Sequence, residues 1–481
     1  MDLFQRHNDS VKAQFRSRSI QLLVSLRVWS VIILGLHVLA YLLPQDRAWS
    51  LWPYTFLPLW LGLLLSGGAG LLVAPPVNQT IQTGIYRLWK KAPGKTYPRR
   101  WFGLLALLSL PLFWWGRIRH LAWGDAEILV IGLSHPEQTV IYNWQAPFTV
   151  YLHQRLWALL AGPAWGWGVE TVYAAVSVVC GGVFVYVLLN LAFEVTDSAL
   201  ERALIAGMAL TTGAMQLFFG YVENYTIISV GLMIFLWLGQ RSLHGRAPLW
   251  LAILALSLTN GFHPSTVCLW PAALYLAWRR YRAGQPAAQL ALSLLLPPLI
   301  VGNSLLTLME LGDHGLAALL GDDRPGGGDH IWFVPLFATR TKWERYTMFS
   351  LPHLLEWLNE HFLISTFGLA TIVMVAVWAW RNRRHLLPFP VAYRYELWFL
   401  GLASAGYLLL TWVWNADYGM RKDWDLFAPS AFVYTLFAAL LLARFVRDRE
   451  ALGQAAVLVV GVSGLHMISW IFANTHQLNG L

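Results

Sequence analysis

The chain returns again and again to apolar runs about as long as a lipid bilayer is thick, and that recurrence leaves it few folds. The runs occupy residues 21–43, 55–73, 101–116, 170–193, 203–219, 225–238, 249–278, 290–308, 362–380, 397–414, 427–445 and 455–472. A helix needs ~20 apolar residues to cross hydrocarbon, and only helices and closed barrels satisfy their backbone hydrogen bonds there. Barrel strands are short and alternate in polarity, whereas 251–258 and 397–414 are apolar almost without a break. The expected fold is therefore an all-α polytopic membrane protein of about thirteen transmembrane helices, counting 249–278 as a hairpin of two.

Lys and Arg then orient the spans, because short cytoplasmic loops carry their excess. Arg6, Lys12, Arg16 and Arg18 make residues 1–20 a basic cytoplasmic tail, too long for the start of an ordinary signal peptide, so the first span is expected to stay. The clusters Arg87 to Arg100, Arg241 with Arg246, Arg279 with Arg282, Arg381 with Arg394 and Arg444 with Arg449 fall on the same side. The net charge of +9 thus reads as a topology signal and not as a nucleic-acid surface. Cys180 and Cys268 both sit in apolar runs, which leaves no disulfide framework or cysteine metal site. No internal repeat stands out, so residues 1–481 read as one transmembrane domain, expected in the plasma (inner) membrane.

Three segments land outside: 117–165, 310–360 and 415–426. Within the first, 145–160 is interrupted by Gln154 and Arg155 and flanked by Trp144, which suits a helix lying at the interface. The second holds Asp322, Asp323, Asp329 and His330, a loose set of metal-ligand types spaced by glycines, so a mobile loop is an equal reading. Cations placed outside against the rule are Arg117 and Arg119, Arg340, Lys342 and Arg345, and Arg421 and Lys422.

Charge near hydrocarbon is costly and is kept for a task, which singles out two outer ribbons as candidates for chemistry. Asp125 and Glu127 follow Trp123; a carboxylate there can act as general base or bind a cation, although loops also carry charge for solubility. In the second ribbon Arg421 and Lys422 can meet a phosphate, with Asp417, Asp423 and Asp425 holding them or facing a sugar. Tyr418, Trp412, Trp414 and Trp424 offer planes for stacking, or mark an interfacial belt. Glu223 and His263 sit at the tips of two tight hairpins on that face, where either could contact substrate; the plain alternatives are an exposed turn acid and a satisfied turn histidine. His37 and His466 lie within spans, but a paired haem site is disfavoured because the other histidines cluster in or near loops.

An acidic Asp-x-Glu in an early outer loop, an interfacial helix behind it and a run of short hairpins resemble the GT-C superfamily of polytopic glycosyltransferases, most strongly over residues 101–282. The resemblance implies that Asp125 is the catalytic base or a metal ligand, with Glu127 the second acid. It also implies that Arg421 and Lys422 bind a lipid-linked phosphate. Two spans precede the expected first one here, which shifts the position of the acidic loop relative to the usual pattern.

The function expected on this basis is inverting transfer of a hexose or pentose from a polyprenyl-phosphate donor to a glycan, lipid or protein acceptor on the extracytoplasmic face. Asp125 is the expected base. Glu223, His263, Tyr418, Arg421, Lys422, Asp423 and Asp425 would bind substrate, and segment 310–360 would close over the site. Partners are then the sugar donor, the acceptor and membrane lipids, with no nucleic acid. The cofactor stays open, a divalent cation such as Mg or Mn being one option. A transporter or flippase of a lipid-linked or anionic substrate is the competing reading, and a silent scaffold a weaker one; against transport stand the charges at one face and the lack of related halves.

Overall fold

The computed structural model describes residues 2–44, 46–91, 100–135, 141–161, 165–320, 331–383 and 391–476. Asp322, Asp323, Asp329 and His330 lie outside the described residues, as do Lys95, Arg99 and Arg384 of the basic loops. Among the described residues the regular elements are all helices, joined by turns and by the non-helical stretch 331–350. The helices are α1 (Asp2–Leu39), α2 (Trp52–Thr55), α3 (Leu59–Leu71), α4 (Pro75–Lys91), α5 (Arg100–Trp115), α6 (Ala126–Ser134), α7 (Pro147–Leu160), α8 (Val169–Val195), α9 (Ala199–Leu210) and α10 (Tyr225–Leu243). They continue as α11 (Leu249–Phe262), α12 (Trp270–Arg282), α13 (Ala287–Leu311), α14 (Leu316–Leu320), α15 (Leu351–Ile364), α16 (Gly368–Arg381), α17 (Val391–Val413), α18 (Trp424–Phe445) and α19 (Arg449–His476).

Seven of these helices are long and apolar enough to cross a membrane, and two bent pairs raise the number to nine. The expected count of about thirteen is higher because several apolar runs break. Run 55–73 ends short of Pro75 and Pro76, and α3 meets α4 at 84°. Run 203–219 splits at Thr211 and Thr212 into the 12-residue α9 and a tight 3-10 turn, Gly213–Phe218. Run 249–278 breaks at His263-Pro264, since a proline ring cannot continue the helix, and a second 3-10 turn, Pro264–Leu269, separates α11 from α12. Run 362–380 does not cross straight: α15 and α16 meet at 106°, and α15 reaches back into the expected outer segment. Its start is marked by Ser350, whose side chain accepts from the N–H of His353 at 3.4 Å.

Helix α18 is the axis of the bundle. Ninety-four per cent of its apolar window is buried, against 17% for α13, so α13 belongs to the lipid-facing shell and α18 to the protein interior. It packs against α17, α16, α9 and α10, while α8 is gripped by α5 and α10, and α1 lies along α19. His37 on α1 and His466 on α19 meet ring nitrogen to ring nitrogen at 2.9 Å, closing the seam between those helices. A small separate core of Ala126, Leu129, Leu133, Val150, Val169, Tyr173 and Val222 seats α6 on α7 and α8.

The two ends of α18 differ in kind. Its last turn carries Arg444, buried and bonded to Glu201 at 2.7 Å, Glu396 at 3.3 Å and the Val195 carbonyl at 2.9 Å. Its first turn carries Asp425, also buried. At ~1.5 Å per residue the two ends are ~30 Å apart, so the basic network and the acidic end lie at opposite faces of the bundle.

Candidate active site

Five carboxylates from three distant stretches line one pocket: Asp125, Glu223, Asp417, Asp423 and Asp425. The other walls include Gly124, Gln145, Tyr225, His263, Trp332, Trp414, Asn415 and Tyr418. No Lys or Arg is among the described lining residues.

Backbone geometry brings the acids together. Gly124 has φ +54°, a left-handed conformation, and its N–H donates to the carbonyl of Lys422 at 2.9 Å. That bond fastens the Asp125 loop to the segment between α17 and α18. The N–H of Asp125 then donates to Glu223 Oε1 at 2.5 Å, and Glu223 Oε2 accepts from the N–H of Asn224 at 2.8 Å. Trp123 holds the loop from behind, its indole N–H on Asn474 of α19 at 2.9 Å and its ring 5.7 Å from Trp470. Gly419, at φ +84°, turns the other segment so that the N–H groups of Lys422 and Asp423 both reach its carbonyl at 3.0 Å. The Tyr418 N–H donates to Asp423 Oδ2 at 2.9 Å, and the Tyr221 hydroxyl lies 3.4 Å from Asp425 Oδ2. The 331–350 stretch is clipped to the end of α17, Val334 N–H to Val413 carbonyl at 2.9 Å and Asn415 N–H to Trp332 carbonyl at 3.1 Å, which sets Trp332 at the pocket.

So many acids in one place cannot all ionise. Burial, with Asp417 nearby, raises Asp125 to about 6. Asp423 is pushed up to about 8 by burial; the Tyr418 N–H pulls it back, Asp125 and Asp417 push it further up, and Arg345 opposes them. Burial and the charges of Asp425 and Asp125 hold Glu223 well above the carboxylate range. Burial, with Asp125, Asp423, Asp417 and Glu223 nearby, raises the Tyr418 phenol to about 12. Asp125 thus gives up its proton more readily than Asp423.

The residues singled out in the sequence divide. Asp125, Glu223, His263, Tyr418, Asp423 and Asp425 meet in the pocket, and Glu223 and His263 are buried there, each 2% exposed, where exposed turn tips were the plain alternative. Glu127 is exposed in the first turn of α6 and is not among the lining residues. Period 3.6 explains it, since two residues on from Asp125 the helix has turned to its other side. Arg421 and Lys422 are not lining residues either: Lys422 is exposed and contributes its carbonyl, while the Arg421 guanidinium lies 4.6 Å over the Trp52 ring. Burial lowers the Arg421 pKa, and the charges of Glu356 and Asp46 raise it.

Sequence reasoning missed Gly124, Gln145, Tyr225 and Trp332 as walls, and missed Arg345 as the cation facing the acids. A Cβ on Gly419 would meet the Arg345 side chain at 3.0 Å, so this arginine packs against the acidic segment. The one signal for it was its place among the outer cations. Among the described residues no group of three or more His, Cys, Asp and Glu side chains is arranged to hold a metal ion.

No protein-family model matches the sequence, and no curated protein matches it. Solved structures do show similarity. ArnT from Cupriavidus metallidurans bound to undecaprenyl phosphate is similar at a TM-score of 0.47 and 11% identity, over 78% of this chain and 76% of that one. Arabinosyltransferase EmbB from Mycobacterium smegmatis is similar at 0.42 and 16% identity, over 80% of this chain and 34% of that one. The Archaeoglobus fulgidus oligosaccharyltransferase tethered to an acceptor peptide is similar at 0.41 and 13% identity, over 79% of this chain and 55% of that one.

Proposed function

We propose that the protein is a membrane glycosyltransferase that moves a sugar from a polyprenyl-phosphate carrier to an acceptor hydroxyl at the extracytoplasmic end of its helical bundle. One observation carries the reading: Asp125, raised to about 6, lines a pocket with Asp423, raised to about 8, and with Glu223, which burial pushes in the same direction. A base titrating near the working pH can accept a proton as bond formation proceeds.

Asp125 takes the proton of the acceptor hydroxyl, and the freed oxygen attacks the anomeric carbon opposite the departing phosphate, inverting it. Glu223, fixed by two backbone N–H groups, orients the Asp125 loop. Tyr418, Trp332 and Trp414 provide planes for the sugar ring. Arg345, beside Gly419, and Arg421, over Trp52, supply positive charge along the 415–423 segment, where it favours the phosphate that gathers charge as the glycosidic bond breaks. Lys422, exposed next to them, adds to that field.

The test is transfer from a polyprenyl-phosphate sugar in reconstituted vesicles, together with mass spectrometry of lipid that purifies with the protein. Asp125→Asn is expected to lower turnover by about 10²- to 10⁴-fold and keep donor binding. Transport of the intact lipid with no glycosidic product would overturn the reading in favour of a flippase.

A further inference from the structure

The buried histidines of this protein are wired in two ways. In His153 and His353 the Nδ1 faces a backbone carbonyl, that of Thr149 at 2.7 Å and that of Met348 at 2.7 Å. A carbonyl only accepts, so in each of these rings Nδ1 carries the proton and Nε2 is a bare lone pair. His263 is reversed. The backbone N–H of Ser265 donates to its Nδ1 at 3.2 Å, and the Ser265 hydroxyl lies 2.9 Å from the same nitrogen. A backbone N–H only donates, so here Nδ1 is the lone pair and the proton of the neutral ring sits on Nε2.

The sequence enforces that choice. His263 caps the 3-10 turn Pro264–Leu269, and Pro264 has no N–H, so the first donor the turn offers is that of Ser265. Burial lowers the pKa of His263 to about 3, so the ring stays neutral and Nδ1 stays an acceptor. Nε2 is buried and has no hydrogen-bond partner among the described residues. The ring lines the pocket, tilted 57° against Tyr225 with centroids 5.0 Å apart. A buried donor left unmatched in the protein is costly, and a ligand oxygen is what would match it.

We propose that His263, held as the Nε2–H tautomer, is the neutral hydrogen-bond donor of the pocket and takes an acceptor oxygen of the lipid-linked substrate, either phosphoryl or sugar hydroxyl. This rests on the glycosyltransferase reading for the identity of the ligand. Neutrality has a use here. A cation at this position would pair with Asp125 and lower its pKa, weakening the base, whereas an imidazole N–H holds an oxygen without that penalty.

The experiment uses the full-length protein in lipid nanodiscs with His263→Gln, His263→Asn and His263→Ala. The amide nitrogen of Gln reaches about where Nε2 stood, and that of Asn about where Nδ1 stood. Two probes are titrated: polyprenyl phosphate without a sugar, and the same lipid carrying one. If the oxygen is phosphoryl, Ala and Asn weaken both probes by about 10- to 100-fold while Gln restores most of the affinity. If it is a hydroxyl, only the sugar-bearing lipid is affected, by about 2- to 10-fold, again with rescue by Gln. Thermal unfolding of each variant separates lost binding from lost folding, and 15N spectra of histidine-labelled protein read the tautomer directly. Binding unchanged in all variants, Gln as impaired as Ala, or a proton on Nδ1 overturns the proposal. Wild-type protein that binds neither lipid overturns the functional reading and with it the ligand assigned here; binding that survives in every variant overturns only the role of His263.

Discussion

The N–H of Gly124 donates to the carbonyl of Lys422 at 2.9 Å, and this one bond joins the loop that carries Asp125 to the segment that carries Asp423 and Asp425. The space where a side chain would start on that glycine is occupied. A Cβ there would stand 2.5 Å from Glu223 Oε1 and 2.8 Å from Asp425 Oδ2, on a backbone already at φ +54°.

Gly124→Ala is therefore expected to prise the acids apart. The positive φ alone costs about 1–3 kcal/mol for a residue with a side chain, and the clash with two carboxylates adds to it. Thermal unfolding should fall by several degrees and transfer by tenfold or more; a variant with unchanged turnover would separate this glycine from the site.

Asp125 titrates at about 6 in the folded protein, so its base form is lost as pH falls through that value. Turnover should rise with pH across about 5 to 7 and then level. Asp125→Asn should lower turnover by about 10²- to 10⁴-fold and remove that limb of the pH profile, while affinity for the donor lipid is retained. A pH profile that keeps its acid limb in the variant would assign the base elsewhere.

Asp423 bears on stability with the opposite sign to a salt-bridged acid. Its pKa rises from 3.8 to about 8 on folding, so between those values the folded state binds more protons than the unfolded one. Its contribution is fully present below about pH 4 and is lost as pH rises to about 8. Asp423→Asn, which cannot ionise, should flatten the fall in stability over that window, measured as the unfolding midpoint in denaturant from pH 4 to 9.

At the opposite face, Arg444 is 6% exposed and answers Glu201 and Glu396 together. Removing one partner of a buried pair leaves charge uncompensated, so Arg444→Ala should destabilise by about 3–5 kcal/mol. The fraction that stays folded should keep the wild-type KM, because this network is a helix length away from the pocket. A selective rise in KM would mean that the two ends of α18 are coupled.

The spans were legible because lipid imposes a length and a polarity that each helix must meet by itself. Their breaks were less so. Thr211, Pro264 and the Ser365 bend interrupt runs whose average apolarity looks continuous, so that against about thirteen expected spans seven helices and two bent pairs are long and apolar enough to cross. In the pocket, Asp125, Asp423 and Asp425 were visible as charge where charge is costly. Gln145, Tyr225 and Gly124 carried no such signal, since polar, aromatic and glycine residues are ordinary at helix ends and loops.

What the sequence determined by itself was the class of the molecule and the loops that hold its charge, because burial in hydrocarbon is a local requirement written residue by residue. Which charges face one another was decided only by the tertiary structure. Asp425 and Glu223 come together because α18 and α10 pack side by side, and Arg421, two residues from Asp423, leaves the pocket for Trp52 because the Gly419 turn sends neighbouring side chains in different directions. Contacts between residues hundreds of positions apart depend on how helices pack, and no local pattern encodes that.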